Sequence, residues 1–416
     1  MQASDQSGLG KPCLRVLETQ LIQEPGSEGI LLLDPEGLFE DPVFVPQGLL
    51  PVVASFTGQW TLNEIAERLG REFGQEVPLH FVQQVAQDLE KRLCLEGEPV
   101  EEARRVRLAD FASLTSRPAF HAGSNGYPEA PEECERALRE LLGEPRSPLG
   151  DARLIGLIAP HIDIQRGRDG YREAYSSLRQ HPPSDLYIVF GTSHNGASQS
   201  LIPFRKAYDT PLGLVPTDRD FVEHFLEESG EAGGLQTSLD EEILHLREHS
   251  VEFQVLFLKQ VLGDHPFAIV PFLTGPLPDR PEEDAAIQHQ LDVLERLVRA
   301  YPGRVSFVGG ADMSHLGPWF GDPEPVDAEL LGNLDSLDRG SLDLLLQGRI
   351  GDFHTHVHEH DNPRRICGGP PMFYTAELSR RMDPTCSIDL LHYGQAVAED
   401  GNQVVSHASV LFHGKA

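Results

Sequence analysis

Basic residues are scarce. Against 65 Asp and Glu, the 416-residue chain sets only 34 Lys and Arg, a formal net charge of -31 at pH 7. Phosphate backbones and anionic lipid surfaces are met by basic faces, so neither nucleic acid nor membrane is expected as a main partner. No run of about 18 apolar residues exists, so no transmembrane helix is expected. The opening stretch "MQASDQSGLGKPCLRV" has no apolar core of a secretory leader. Cysteines are few: Cys13, Cys94, Cys134, Cys367 and Cys386, none in a CxxC pair. A sparse, odd set without a leader predicts reduced thiols and a cytoplasmic location. Nucleotide signatures are missing: there is no GxGxxG after a strand and no GxxxxGK[ST]. "GTSHNG" is not a GxSxG elbow, so a hydrolase serine is unsupported.

What is present can build a sizeable core. Hydrophobic residues make up 39% of the chain, and its length predicts two or three domains. Residues 1–97 read as a small winged-helix-like unit. "ILLLDPEGLF" begins as a strand and turn. "TLNEIAERLG" is a helix opened by a capping box, Thr61 with Glu64 three residues on. Its apolar face is Leu62, Ile65, Ala66 and Leu69, and Gly70 is placed to stop it. "FVQQVAQDLEKRLCL" is a second amphipathic helix with Val82, Val85, Leu89 and Leu93 inward. Residues 98–150 read as a linker holding the charged "VEEARRVRLADF", the turn-rich "RPAFHAGSNGYPEAP" and the short helix "EECERALRELLG".

From 151 to 416 apolar strands and helices alternate. Strands are predicted near 153–159, 185–191, 266–273 and 304–310. Helices are predicted near 218–229, 249–262, 283–299, 325–336 and 370–382. Such alternation means an α/β fold, a mostly parallel sheet with helices on both faces. "CSIDLLHYGQAV" and "NQVVSHASVLF" read as two strands joined at "EDGN", a hairpin signal.

Three of the apolar strands deliver titratable groups at or just past their carboxyl ends, the edge where open α/β sheets bind ligands. "LIAPHIDIQRG" leads to His161, "LYIVFGTSHNG" to His194, and "RVSFVGGADMSH" to Asp312 and His315. His161 and His194 are the strongest metal-ligand pair, since imidazole is the commonest ligand for borderline metals. Their plainer reading is two strand-end histidines bonded to backbone. His249 and Ser250 open the helix of "REHSVEFQVLFLKQ", with Ser250 placed to cap it. The positive helix end disfavours a protonated His249, which suits a neutral, positioning role. Asp312 and His315 make either a general base oriented by a carboxylate or a local hydrogen bond without catalysis. Cys367, in "RRICGGPPMFYTAEL", precedes a helix start, where a thiol is acidified. It is then a soft metal ligand or a nucleophile, while a buried apolar cysteine is the commoner case. "FHTHVHEH", with His354, His356, His358 and His360, reads as a solvated surface that binds metal adventitiously.

Taken together, "HAGSNGYP", "IAPHID", "GTSHNG", "REHSVEFQ", "GGADMSH", "RICGGPP" and "VVSHASVLF" resemble the Memo family, in the family's order, over about residues 117–413. The resemblance implies a fold similar to class III extradiol dioxygenases. Those enzymes hold a non-haem Fe(II) with two histidines and a carboxylate and use another histidine as acid/base. By position, it makes His161, His194 and Cys367 metal ligands and His315 the acid/base, with Asp312 and His249 lining the pocket. Fe(II) is the expected metal, and mixed nitrogen and sulfur ligation also tolerates copper or zinc. The family includes the B protein of the AmmeMemoRadiSam system, which implies a radical-SAM partner protein. Two departures alter the pocket: "PHIDIQRG" stands where many members read "PHAGY", and "CGGPP" where "CGRHP" is common. The first 97 residues lie outside this match and are similar to PqqD-like modules, small winged-helix domains that recognise peptides for radical-SAM enzymes. The function expected is a metal-dependent oxidoreductase acting on a small-molecule or peptide substrate. The alternative is a non-catalytic metal-binding scaffold of a radical-SAM system.

Overall fold

The computed structural model describes residues 10–24, 26–123, 126–144, 152–233 and 239–414. Outside them lie, among others, residues 1–9 of the opening stretch, Ser124 and Asn125 of "HAGSNGYP", and residues 145–150 of the expected linker. The chain divides into two units, Met1–Ser113 and Leu114–Ala416, so the segment 98–150 is shared between them.

In the first unit β1 (Glu18–Glu24), β2 (Ser27–Leu33) and β3 (Val43–Pro46) form an antiparallel sheet in that order. Helices α1 (Leu50–Ala54), α2 (Leu62–Phe73), α3 (Leu79–Lys91) and α4 (Glu98–Ser113) follow. The capping box forms as spaced: the Thr61 N–H donates to Glu64 at 2.8 Å and the Glu64 N–H to Thr61 Oγ1 at 3.4 Å. Helix α2 runs past Gly70 because Gly74, at φ 66°, supplies the left-handed terminus. Its Leu62, Ile65 and Leu69 join Val82, Val85 and Leu89 of α3 over Leu32, Val43 and Val45 of the sheet. The charged stretch read as linker is α4. Arg104 forks onto Glu36 with two bonds of 2.8 Å and also reaches Glu96 and Glu101, which ties this helix to its own unit.

The second unit opens with β4 (Ser116–Arg117) and α5 (Pro131–Leu142). It continues through β5 (Leu154–Ala159), α6 (Arg168–Leu178), β6 (Leu186–Thr192), β7 (Leu201–Pro203), β8 (Ala207–Tyr208), α7 (Arg219–Gly233), α8 (Leu239–Glu242), α9 (His249–Leu262) and β9 (Ala268–Thr274). Then come α10 (Ala285–Ala300), β10 (Val305–Gly310), β11 (Asp312–Leu316), α11 (Ala328–Leu346), α12 (Ile350–His358), α13 (Gly369–Met382), β12 (Ser387–Val397) and β13 (Val404–His413). The large sheet is ordered β11-β13-β5-β10-β6-β9-β7, with β12 on β13.

The sheet is mixed, not mostly parallel. Only the central strands, β5-β10-β6-β9, pair in parallel; β7, β11, β12 and β13 pair antiparallel. Connection length decides this. Helices separate the central strands and allow crossovers, whereas the short turn 398–403 lets β12 and β13 pair only as a hairpin. Every residue of β5 and β6 is buried, as strands covered on both faces must be. Ile158, Ile188, Phe190 and Phe272 pack with Leu291 of α10 and Phe373 of α13. In the layer formed by α6 and α9, Phe257 stacks on Tyr171 and Tyr175 at 4.6 and 4.9 Å. Helix α9 reaches the strand ends closely. A Cβ on Gly191 would stand 2.5 Å from Ser250 Oγ, and one on Gly310 2.3 Å from the Ser250 carbonyl oxygen, so both positions need glycine.

The histidine tract read as surface is α12 with His354 fully buried and bonded to the Pro278 carbonyl at 3.0 Å. His356 bonds Ser341 at 2.8 Å, and of the four histidines only His360 is exposed. Helical spacing puts His354 and His358 on one face, their rings 4.1 Å apart, and turns His356 away toward Ser341. Among the described residues, no helix is long and apolar enough to cross a membrane.

Candidate metal centre

Strand β5 ends at Ala159, Pro160 turns the chain, and His161 enters the interior at 1% exposure. Its Nδ1 donates to the Gly310 carbonyl at 2.9 Å, which leaves Nε2 aimed at Cys367 Sγ, 3.2 Å away. Cys367 arrives from the loop before α13. That loop is pinned to two strand ends: Thr192 Oγ1 donates to the Cys367 carbonyl at 3.0 Å, and the Gly368 N–H to the Asp312 carbonyl at 3.0 Å. Burial opposes a thiolate, but His161, His315 and His194 outweigh it and bring Cys367 down to about 5. Burial likewise opposes a charged His161, yet Asp312 and Cys367 lift it to about 9. Each group thus favours the charged form of the other.

His194 follows β6 and is oriented by Glu248. Its Nδ1 donates to the two carboxylate oxygens at 3.0 and 3.1 Å, and its backbone N–H to Oε2 at 2.9 Å. The same carboxylate caps α9, accepting from the N–H groups of His249 at 2.9 Å and Ser250 at 3.1 Å. Burial resists its ionisation, but the charge of His194 and these donors hold Glu248 well below the usual carboxylate range. Ser250, expected as the cap, donates instead to the Thr192 carbonyl at 2.8 Å.

Two groups among the described residues have ligand atoms within 4.8 Å of one another: His161, His194 and Cys367, and His194, Glu248 and His249. The Glu248 oxygens are committed to four N–H donors, so Glu248 orients a ligand rather than acting as one. The first group brings both Nε2 atoms and an acidified thiol together, with His194 on the exposed side, and this donor set fits a borderline transition metal.

The other predicted residues surround it. His249 stacks on His194 at 4.8 Å and lies edge-on to His161 at 5.3 Å. Burial first, opposed by Glu248 and helped by His194 and His161, brings its pKa down to about 3. Asp312 accepts the His161 N–H at 3.0 Å and lies 3.7 Å from Nε2 of the same residue. It was expected to orient His315. Instead, Nδ1 of His315 donates to the carbonyls of Met313 and Arg365, at 3.0 and 3.1 Å.

Sequence reading missed Glu248 and the pair His121–Glu252. His121 belongs to "HAGSNGYP"; its N–H and Nδ1 reach Glu252 at 2.9 and 2.7 Å. The available signal was the four-residue spacing of the two glutamates on α9. Nothing local tells which histidines they hold.

The sequence profile of Memo-like proteins matches residues 117–411. A MEMO1 family protein of Aquifex aeolicus is 24% identical over 97% of this chain and 100% of its own. One from Methanosarcina barkeri is 25% identical, covering 68% of this chain and 96% of that one. One from Thermus thermophilus is 27% identical, covering 69% and 81%. An uncharacterized protein of Escherichia coli K12 of known crystal structure superposes with a TM-score of 0.42 and 15% identity, over 62% of this chain and 99% of that one. The profile match takes in His121, His161, His194, Glu248, Asp312 and Cys367, and the chain belongs to the Memo-like family.

Proposed function

We propose that the chain is a cytoplasmic, metal-dependent oxidoreductase of the extradiol-dioxygenase kind, acting alongside a radical-SAM partner protein. The convergence of two oriented imidazoles and an acidified thiol carries this reading. Three protein donors leave further positions of a metal free for substrate, as catalytic sites require. Fe(II) is the metal that the resemblance to extradiol dioxygenases implies, and the mixed nitrogen and sulfur donors also suit copper or zinc. When bound, the metal supplies a Lewis-acidic centre that polarises an oxygen-bearing substrate. His315, with Nδ1 committed to carbonyls, offers Nε2 for proton transfer. Neutral His249 positions the substrate by hydrogen bonding, and Asp312 keeps His161 in place.

Anaerobic purification, metal analysis and a dioxygen-uptake screen with small oxygen-bearing substrates test this. One metal per chain and uptake by the wild type are expected, with His315→Ala keeping metal but losing about 10²–10⁴-fold in rate. A fully loaded protein without uptake for any substrate contradicts the enzyme reading.

The second reading is a metal-binding scaffold for a radical-SAM system, and the first unit favours it. A groove of about 640 Å³ lies along the edge strand β3 and is lined by Val43, Val45, Val53, Val85, Leu89 and Arg92. A strand edge unpaired among the described residues, beside an apolar groove, suits an extended peptide, consistent with a PqqD-like, winged-helix-like module. Pull-down with the full chain, followed by peptide identification, separates this from the first reading.

A further inference from the structure

Helix α9 uses one device twice. Glu248, which caps α9, and Glu252, in its first turn, each grip a histidine from another segment through its backbone N–H and its Nδ1. The first grip turns His194 into a metal ligand. The second holds His121, which belongs to neither group of potential ligands. The His121 ring lies edge-on to His249 at 5.6 Å, and His249 contacts both His161 and His194. Because Nδ1 is spent on Glu252, and Nε2 is given no hydrogen bond among the described residues, Nε2 is the nitrogen left to exchange protons.

The support behind this ring is built for charge. Glu252 is fully buried and ionised, paired with Arg117 at 2.6 Å and bonded by the Tyr127 hydroxyl. The groups facing His121 are Glu252 and His249 of α9, with Arg117 and Tyr127 behind the carboxylate, and Arg247 over the neighbouring Phe120 ring at 4.9 Å. A buried ion pair serves folding no better than apolar residues of the same volume. An ionised carboxylate against Nδ1 of a partly exposed histidine is what proton transfer at Nε2 needs.

We propose that His121 is a second proton-transfer residue of the metal pocket, with Glu252 as its positioning carboxylate. This rests on the metal-dependent reading above. The O–H bond of a substrate hydroxyl breaks, the oxygen keeps the electron pair, and Nε2 of His121 takes the proton. Glu252 balances the imidazolium that forms, and the reverse step returns the proton. With His315 handling another proton, the pocket is matched to a substrate that gives up two.

The test uses the metal-loaded full chain and 4-nitrocatechol, whose visible band reports whether one or two protons have been lost. The wild type should bind the probe doubly ionised at a pH where the free probe keeps its second proton. His121→Gln should retain its metal while the pH midpoint of the second ionisation rises by about one unit or more, a tenfold loss. Glu252→Gln should shift the midpoint the same way. Should that variant not fold, with Arg117 left unpaired, His121→Gln decides alone. A merely structural His121 would leave the midpoint in place, and an unchanged midpoint in metal-replete His121→Gln overturns the proposal by itself. Loss of metal from that variant also overturns it, by making His121 part of the ligand support. Failure of the loaded wild type to bind the probe removes both this proposal and the metal-dependent reading.

Discussion

His161 and Cys367 stand 206 residues apart in sequence and 3.2 Å apart in space. His161→Ala and Cys367→Ser should each lose most of the metal, read by elemental analysis, while circular dichroism stays that of the wild type. Full metal occupancy in both would remove the proposed centre. Glu248→Gln is the subtler test. The amide still reaches His194 but no longer stabilises it as a charged acceptor, so metal affinity should fall about 10–100-fold in a chelator competition. An unchanged affinity would return Glu248 to a purely capping role. At this scale much was legible. A histidine or aspartate that ends an apolar strand announces itself locally, and so does a cysteine before Gly-Gly-Pro-Pro. Glu248 and His121 were not legible, because their significance is a partner on another segment.

The secondary elements followed their local signals closely. Observed β5, β6, β9 and β10 begin and end within a residue or two of the predicted strands, since each is an apolar run closed by polar turns. Helix α11 extends to Leu346, well beyond the 336 expected. Helix α12 supplies a pH test. Burial first, then neighbouring His358, lowers His354 to about 4, and its Nδ1 has no partner among the described residues. An unfolded histidine titrates near 6.5, so between there and about 4 the unfolded chain binds a proton that the folded one refuses. The stability is therefore complete above about 6.5 and is lost as pH falls, by about 1.4 kcal/mol per unit. In His354→Phe the loss of urea-unfolding free energy between pH 7 and pH 5 should shrink by about 2 kcal/mol. An unaltered loss would place the acid sensitivity elsewhere.

At the scale of the molecule, each unit carries its own apolar cluster, one built on Leu32, Ile65 and Val82 and the other on Ile158, Phe190 and Phe373. Residues 114–416 expressed alone should stay folded and bind metal in the stoichiometry of the full chain. Metal loss or insolubility of that fragment would make the first unit necessary to the second. Sequence by itself determined the α/β class, the order of elements and which residues could bind metal. Periodicity, turn residues and strand-end polarity act between near neighbours and are written in the chain. Tertiary structure decided the rest. It set the antiparallel flanks of the sheet, gave the Asp312 carboxylate to the His161 N–H, and committed the Glu248 oxygens to N–H donors while leaving the Cys367 thiol beside His161. Those outcomes depend on which strand lies beside which and on how closely α9 approaches Gly191 and Gly310, and only the closed core fixes such distances.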